Sequence, residues 1–132
     1  MTLYKGTLED EALGDDEPQV EPARIPLTLK ITNEATFGLE SLIDPGASHN
    51  FISFEAWQTL PKGSMVPTSA TVRAINGTCT KPIGYVTLDV IIAKHVLQVY
   101  FYVMPAGTME ERVILGRSWY YLTNCQIDWH KQ

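Results

Sequence analysis

A strict alternation of apolar and polar residues begins at Ile25 and limits the possible folds of this chain more than any other feature. Ile25, Leu27, Leu29 and Ile31 alternate with Pro26, Thr28, Lys30 and Thr32. Because successive side chains of a β-strand point to opposite faces, this period of two predicts a strand with one buried and one exposed face. Residues 33–35 predict a turn, and residues 36–43 predict a second strand that completes a hairpin.

The rest of the chain carries further short strand patterns separated by turn residues. Asn76 and Gly77 are a strong two-residue turn signal, which predicts a hairpin with arms at 71–75 and from residue 78 onward. Ser53 is suited to cap a short helix over 53–60 that Pro61 and Gly63 end. Further strands are predicted at 85–92, 96–103, 113–115 and 125–129, and a second short helix at 117–123. Many short strands at close spacing indicate an all-β fold, either a barrel or a sandwich.

Length and charge limit the number of domains and the kind of partner. A chain of 132 residues with 45% hydrophobic residues can form one domain with a real core and is too short for two ordinary ones. Residues 1–24 carry seven acidic and two basic side chains, whereas residues 25–132 carry eight of each. We therefore predict an acidic flexible leader or linker over 1–24 and a neutral domain over 25–132. A neutral domain lacks the basic patch that nucleic-acid binding requires.

The sequence also predicts the cellular location of the protein and whether it binds a metal ion or a cofactor. No apolar run is long enough for a membrane span, and the N-terminus lacks the pattern of a signal peptide. We therefore predict an intracellular, cytoplasmic protein that does not bind membranes. Cys79 and Cys125 are too few for a disulfide framework. Their spacing with His95 and His130 matches no common zinc pattern, so we predict no metal ion and no cofactor.

Two apolar segments each end in a glycine-containing loop, and the first delivers a carboxyl group. Asp44 follows Leu42-Ile43 and opens the only Asp-x-Gly of the chain, while Val113-Ile114-Leu115 leads into Gly116. A lone buried carboxylate is costly and takes up a proton, whereas two adjacent carboxyl groups share one proton and act as acid and base near the same pH. Such a pair can activate water against a peptide carbonyl. A pair here requires two chains, each of which contributes Asp44.

The segment LIDPGASHNFIS, from Leu42 to Ser53, resembles the active-site segment of retropepsin-type aspartic proteases of gypsy-type long-terminal-repeat retrotransposons and of genes domesticated from them. The segment VILGRSW, from Val113 to Trp119, together with QIDW at 126–129, resembles the end of the same domain. The resemblance implies a closed β-barrel with a half-site per chain and a homodimeric aspartic endopeptidase. The implied substrate is a polyprotein, and the implied chemistry needs no cofactor.

The resemblance also implies roles by position. The interface between the two subunits would include the terminal strand at 126–129. Asp44 would be the catalytic residue, and the active-site loop would contain Pro45, Gly46 and Ala47. The supporting second motif would consist of Ile114, Leu115, Gly116 and Arg117. The flap over the substrate cleft would contain Ile75, Asn76, Gly77 and Thr78.

Pro45 departs from the family pattern, which has Ser or Thr after the catalytic Asp. In the family that hydroxyl hydrogen-bonds across the dimer, and proline has neither a hydroxyl nor a backbone N–H. The alternative is therefore a catalytically impaired protease-like fold that serves as a dimerisation or peptide-binding module. Two weaker alternatives are that Asp44 is only a turn residue before Pro-Gly, and that the chain is an unrelated β-barrel binding domain.

Overall fold

The computed structural model describes residues 23–61, 64–74 and 76–126. Most of this part of the chain is β-strand, with two short helices, as the sequence predicts. The elements in chain order are β1 (Ala23–Lys30), β2 (Thr36–Ile43), β3 (Phe51–Ser53), α1 (Phe54–Gln58), β4 (Val72–Arg73), β5 (Cys79–Thr80), β6 (Gly84–Ile92), β7 (His95–Met104), β8 (Val113–Leu115) and α2 (Arg117–Gln126).

Six of these strands close into a barrel, which confirms the predicted fold class. The order around the barrel is β1, β2, β8, β3, β7 and β6, and β6 pairs back with β1. The β1–β2 and β6–β7 pairs are antiparallel hairpins. β8 lies between β2 and β3, parallel to the first and antiparallel to the second, and β3 is parallel to β7. β4 and β5 form a separate two-stranded hairpin.

The apolar residues of the barrel form two clusters of buried side chains. The larger cluster includes Leu29, Val90 and Phe101 from the strands and Trp119 from α2, so the second helix packs against the barrel core. The smaller cluster includes Leu42 and Ile114 and lies with Ala47, a residue of the loop that follows β2. Burial of these side chains stabilises the barrel and gives the loop after β2 an apolar support.

The structure differs from the predicted elements at two places. β3 was not predicted, because all three of its residues are buried and a fully buried strand shows no alternation. The terminal strand predicted at 125–129 is wrong for its first two residues, since α2 continues to Gln126. No glycine or proline interrupts α2, and the Thr123 hydroxyl donates to the Trp119 carbonyl oxygen within it. Residues 127–129 of that prediction lie outside the described residues.

The β4–β5 hairpin is confirmed, but its turn is longer than the predicted two residues. The closing hydrogen bonds run from the Ala74 N–H to the Thr78 carbonyl and from the Gly77 N–H to the Ala74 carbonyl, both 2.9 Å. Gly77 has a φ of +91°, which favours glycine, and the Asn76 side chain accepts from the Thr78 N–H. Asn76 and Gly77 therefore lie in the turn as predicted, between the hydrogen-bonded Ala74 and Thr78.

The chain before the barrel is described only from Ala23, where β1 begins two residues earlier than predicted. The acidic leader was predicted over 1–24, but Ala23 and Arg24 belong to β1; residues 1–22 of that prediction lie outside the described residues, where it stays a prediction. Within the described part of the chain, no helix has the length and apolar character needed to cross a membrane.

Ser53 provides a test of the local structure next to the loop. Its Oγ accepts a hydrogen bond of 3.0 Å from the buried Ala56 N–H and so caps α1. Ser53→Ala leaves that N–H without a partner, and we expect the free energy of unfolding to fall by about 1 kcal/mol. Urea unfolding measures it, with the exposed Ser64→Ala as the control. Equal unfolding midpoints for the two variants would contradict the capping role.

Candidate active site

Asp44 stands at the end of β2, where the strand leaves the barrel. β2 is paired with β8 up to Ile43, opposite Leu115, and the Asp44 N–H then donates to the Leu115 carbonyl at 2.9 Å. The backbone of Asp44 is thus held by the second motif of the sequence. Its exposed fraction is 0%, so the carboxyl group is fully buried in the single chain.

A tight turn follows Asp44 and explains the Asp-Pro-Gly pattern. The Ala47 N–H donates to the Asp44 carbonyl at 3.0 Å, with Pro45 and Gly46 at the two central positions of the turn. Proline suits the first of these positions because its φ is already restricted to the value required. The Gly46 N–H donates to Asp44 Oδ1 at 2.9 Å. The predicted loop residues therefore orient the carboxyl group through a backbone amide.

The two carboxyl oxygens of Asp44 have different environments. Oδ1 accepts from Gly46, whereas Oδ2 is buried and has no hydrogen-bond partner among the described residues. Burial raises the pKa of Asp44 above its ordinary value of 3.8, and the Gly46 hydrogen bond opposes this in part. Burial disfavours the charged form because an ion loses its hydration. The protonated form of Asp44 is consequently favoured over a wider pH range than in an exposed aspartate.

Gly116 packs directly against the loop that carries Asp44. A side chain at this position would collide with the His49 carbonyl oxygen and would lie 2.6 Å from the Ala47 carbonyl oxygen. The next residue, Arg117, donates its N–H to the same Ala47 carbonyl at 2.8 Å and begins α2. Ile114 and Leu115 before it are fully buried. The structure thus brings the two predicted motifs into contact.

Asn50 is a residue of this site whose role the sequence analysis missed. Its side chain is 3% exposed and joins two distant parts of the chain. Oδ1 accepts from the Gly116 N–H at 2.9 Å, and Nδ2 donates to the Tyr100 carbonyl at 3.2 Å. A polar residue directly before the apolar Phe51-Ile52 pair was the available signal. Its partners are far away in sequence, so its role could not be inferred from spacing.

A cavity of about 530 Å³ lies between the Asp44 loop and the strand β4 of the hairpin. Gly46, Ala47, Ser48 and His49 line it from the loop side, and residues 70–74 line it from the hairpin side. Asp44 itself is not among the lining residues. Arg73 brings a positive charge to this lining, and none of the lining residues is acidic. The arrangement is a cleft beside the loop that carries Asp44.

The predicted flap residues are placed only in part. Asn76, Gly77 and Thr78 are exposed at the turn of the hairpin and do not line the cleft, and Ile75 lies outside the described residues. The arm before the turn, with Val72 and Arg73, is the part that faces the loop. Among the described residues, no three His, Cys, Asp or Glu side chains lie close enough together to hold a metal ion.

Comparison with known proteins gives a family match and similar folds. A family model described as the PEG10/RTL1 protease domain matches residues 40–132. The EIAV protease complexed with the inhibitor HBY-793 has a TM-score of 0.59 at 14% identity, over 89% of this chain and 97% of that chain. The retroviral protease-like domain of Ddi1 from Leishmania major has a TM-score of 0.56 at 16% identity, over 80% and 77%. A comparison with curated proteins finds no match.

The two kinds of comparison agree with the geometry of the site. The solved structures are too distant in sequence to show more than the fold, and that fold is the retroviral protease barrel. The family match covers most of the chain, including the Asp44 loop, the hairpin and the Gly116 motif. The chain therefore belongs to the PEG10/RTL1 protease domain family, which derives from retrotransposons.

Proposed function

We propose that this chain is one subunit of a homodimeric aspartic endopeptidase in which each chain supplies one catalytic carboxyl group, that of Asp44. The observation that carries the proposal is the buried Oδ2 of Asp44, which has no hydrogen-bond partner among the described residues. A buried polar atom without a partner is costly. A second Asp44 across a two-fold axis would supply one, because two adjacent carboxyl groups share a proton.

The proposed reaction uses the shared proton of the two Asp44 side chains. The ionised carboxylate takes a proton from water, whose oxygen then bonds to the peptide carbonyl carbon. The protonated carboxyl group donates its proton to the carbonyl oxygen. The carboxyl group that took the proton from water then donates it to the leaving nitrogen, and the other carboxylate takes a proton from a hydroxyl of the tetrahedral product. The C–N bond breaks, the carbonyl re-forms, and the pair again shares one proton. The raised pKa of Asp44 supports this assignment, because one carboxyl group of the pair must stay protonated.

The proposed substrate is an extended stretch of a polyprotein bound in the cleft beside the loop. The β4–β5 hairpin would act as the flap, since its first arm already faces the loop across the cavity. The positive charge of Arg73 in this lining favours substrates with acidic rather than basic side chains at this position. The acidic leader, the cytoplasmic location and the absence of a cofactor stay predictions from the sequence.

Asp44→Asn tests the catalytic role. An amide cannot serve as general base, so we expect cleavage of a peptide library in mildly acidic buffer to fall by about a hundredfold or more. Mass spectrometry of the products measures it, with Asp89→Asn, an exposed carboxylate of β6, as the matched control. Cleavage by Asp44→Asn at the wild-type rate would exclude the proposed mechanism.

Pro45 is the observation that favours the second candidate function, a protease-like module for dimerisation or peptide binding without catalysis. Its ring is exposed and borders a small cavity of about 80 Å³ together with Trp119 and Tyr120 of α2. Proline offers no donor at this position, so the loops of two subunits cannot hydrogen-bond through residue 45 as Ser or Thr would allow. A weaker dimer is the consequence that both candidate functions share.

Pro45→Ser separates the two candidates. A serine hydroxyl adds a donor to each of the two loops, so we expect the Kd of the dimer to fall by about thirtyfold, the effect of about two net hydrogen bonds. Analytical ultracentrifugation measures the dimer, and Pro45→Ala is the control that removes the ring without adding a hydroxyl. Wild-type cleavage supports the endopeptidase. An inert wild type together with an active Pro45→Ser chain would establish the impaired module instead.

The difference in stability between Asp44→Asn and wild type should depend on pH in a defined direction. Because burial raises the pKa of Asp44, the folded state binds its proton more tightly than the unfolded state does. The wild type is therefore destabilised as pH rises above the ordinary value, by about 1.4 kcal/mol for each unit by which the pKa is raised. Asp44→Asn should be more stable than wild type at neutral pH, and the difference should shrink as the pH falls towards 3.8 and level off below that value.

Thermal unfolding across this pH range measures the difference. Asp89→Asn is again the control, because Asp89 is exposed. A constant difference at all pH values, or a difference that grows as the pH falls, would show that Asp44 does not titrate with a raised pKa.

A further inference from the structure

A second cavity, of about 560 Å³, lies outside the barrel against β6, β7 and α2, and the proposed function leaves it unused. We call it the tyrosine groove. Tyr85, Tyr100 and Tyr102 line it from the sheet, and Leu122 lines it from α2. Val99 and Phe101, which alternate with these tyrosines along β7, are buried in the barrel core. The tyrosines therefore stand on the outer face of the sheet.

The rings of Tyr85 and Tyr100 form a stacked pair that water reaches. Their centroids are 5.8 Å apart with an interplanar angle of 26°, and Tyr100 is 62% exposed. Large aromatic side chains left in water retain a strong tendency to bury their faces against another apolar group. The pair offers a flat surface to a large apolar side chain of a ligand.

The groove also contains an open strand edge. β6 pairs with β7 over nearly its whole length, whereas β3 pairs only with Tyr102–Met104 at its end. The Asn50 carbonyl accepts from the Tyr102 N–H, and Asn50 Nδ2 donates to the Tyr100 carbonyl, so the backbone groups of these two residues face the β3 side. Because the backbone N–H and C=O groups of every second residue point to the same side of a strand, those of Gln98 also face the β3 side.

This edge is available for a further strand. No strand of the described residues pairs with β7 before Tyr102 on that side. Gln98 lies on the edge and lines the groove. An unpaired edge binds an extended polypeptide through main-chain hydrogen bonds, and pockets beside it select alternate side chains.

The tyrosine groove is continuous with the cleft beside Asp44. His49 and Tyr102 line both cavities, and their rings meet edge to face with centroids 5.5 Å apart. A polypeptide that leaves the cleft past this pair of rings reaches the open edge of β7 directly. The occupant that the geometry favours is thus another part of the polypeptide in the cleft.

We propose that the tyrosine groove is a distal binding site for the substrate polypeptide. A segment outside the cleaved residues adds to the edge of β7 at Gln98 and places a large apolar side chain against Tyr85 and Tyr100. The identity of this occupant rests on the proposed function, since the cleft would bind the same chain. The site would strengthen the binding of long substrates relative to short ones.

Peptide selection on the catalytically silent Asp44→Asn chain tests the proposal without cleavage. A displayed library of random twelve-residue peptides is the probe, and fluorescence anisotropy measures the Kd of each selected peptide. With Tyr100→Ala added, we expect binding to weaken about tenfold, or about 1.4 kcal/mol. Tyr121→Ala is the matched control, because Tyr121 is 69% exposed on α2 and does not line the groove.

Backbone methylation of the selected peptides tests the strand addition separately. N-methyl groups on one alternate set of residues should abolish binding, and those on the other set should not, because only one set faces the edge of β7. Equal effects of Tyr100→Ala and Tyr121→Ala, equal effects of the two methylated sets, or failure to select any binding peptide would each overturn the proposal.

These measurements distinguish failure of the tyrosine groove from failure of the proposed endopeptidase function. If wild type does not cleave but Asp44→Asn binds peptides through Tyr100, the groove stands and the endopeptidase does not. If wild type cleaves and Tyr100→Ala leaves the ratio of KM values for long and truncated peptides unchanged, the endopeptidase stands and the groove does not. Circular dichroism of each variant confirms that the barrel is folded.

Discussion

The insertion of β8 between β2 and β3 is the constraint on which the rest of the site depends. The three residues of β8 are buried, and they pair with β2 on one side and β3 on the other. This pairing brings Gly116 against the loop that begins at Asp44, and only a glycine fits there because the carbonyl oxygens of that loop point at its Cα. The Gly116 N–H, left without a strand partner, is taken by the side chain of Asn50. The close packing that requires glycine at residue 116, together with the hydrogen bond from its N–H to Asn50, thus holds the loop that carries Asp44 in place.

The same packing buries the carboxyl group of Asp44 and gives its two oxygens different environments. The loop and β8 remove the carboxyl group from water but supply only the Gly46 N–H to its oxygens. A structural aspartate at a turn normally satisfies both oxygens with amides or solvent, so burial with one oxygen unpaired is not explained by the turn alone. In the proposed homodimer, the second Asp44 would supply the missing partner. The neutral charge of residues 25–132 is compatible with this, since like charges would face each other across a two-fold axis.

The sequence predicted those elements whose signal is local. β2 and β8 were predicted within their observed bounds, and β1 within two residues, because alternation and apolar runs are visible in short windows. β3 escaped because its three residues are all buried and show no period. Asn50 escaped because its partners, Gly116 and Tyr100, become its neighbours only when the barrel closes. The exposure of the Tyr100 ring could not be inferred either, since alternation gives the face of a strand and not what covers that face.

In the proposed homodimer, the two-fold axis imposes a condition on how a substrate uses the tyrosine grooves. The proposed dimer would have two equivalent grooves related by the two-fold axis, whereas a polypeptide has a direction. A chain that lies parallel to β7 in one groove is therefore antiparallel to β7 in the other. Parallel and antiparallel pairs use different hydrogen-bond patterns, so the donors and acceptors of Gln98 cannot fit both equally well. One end of the substrate is then held more tightly than the other. The proposed symmetric enzyme would thereby distinguish the two ends of its substrate, and a strongly bound end would raise the effective concentration of the remaining chain at the cleft.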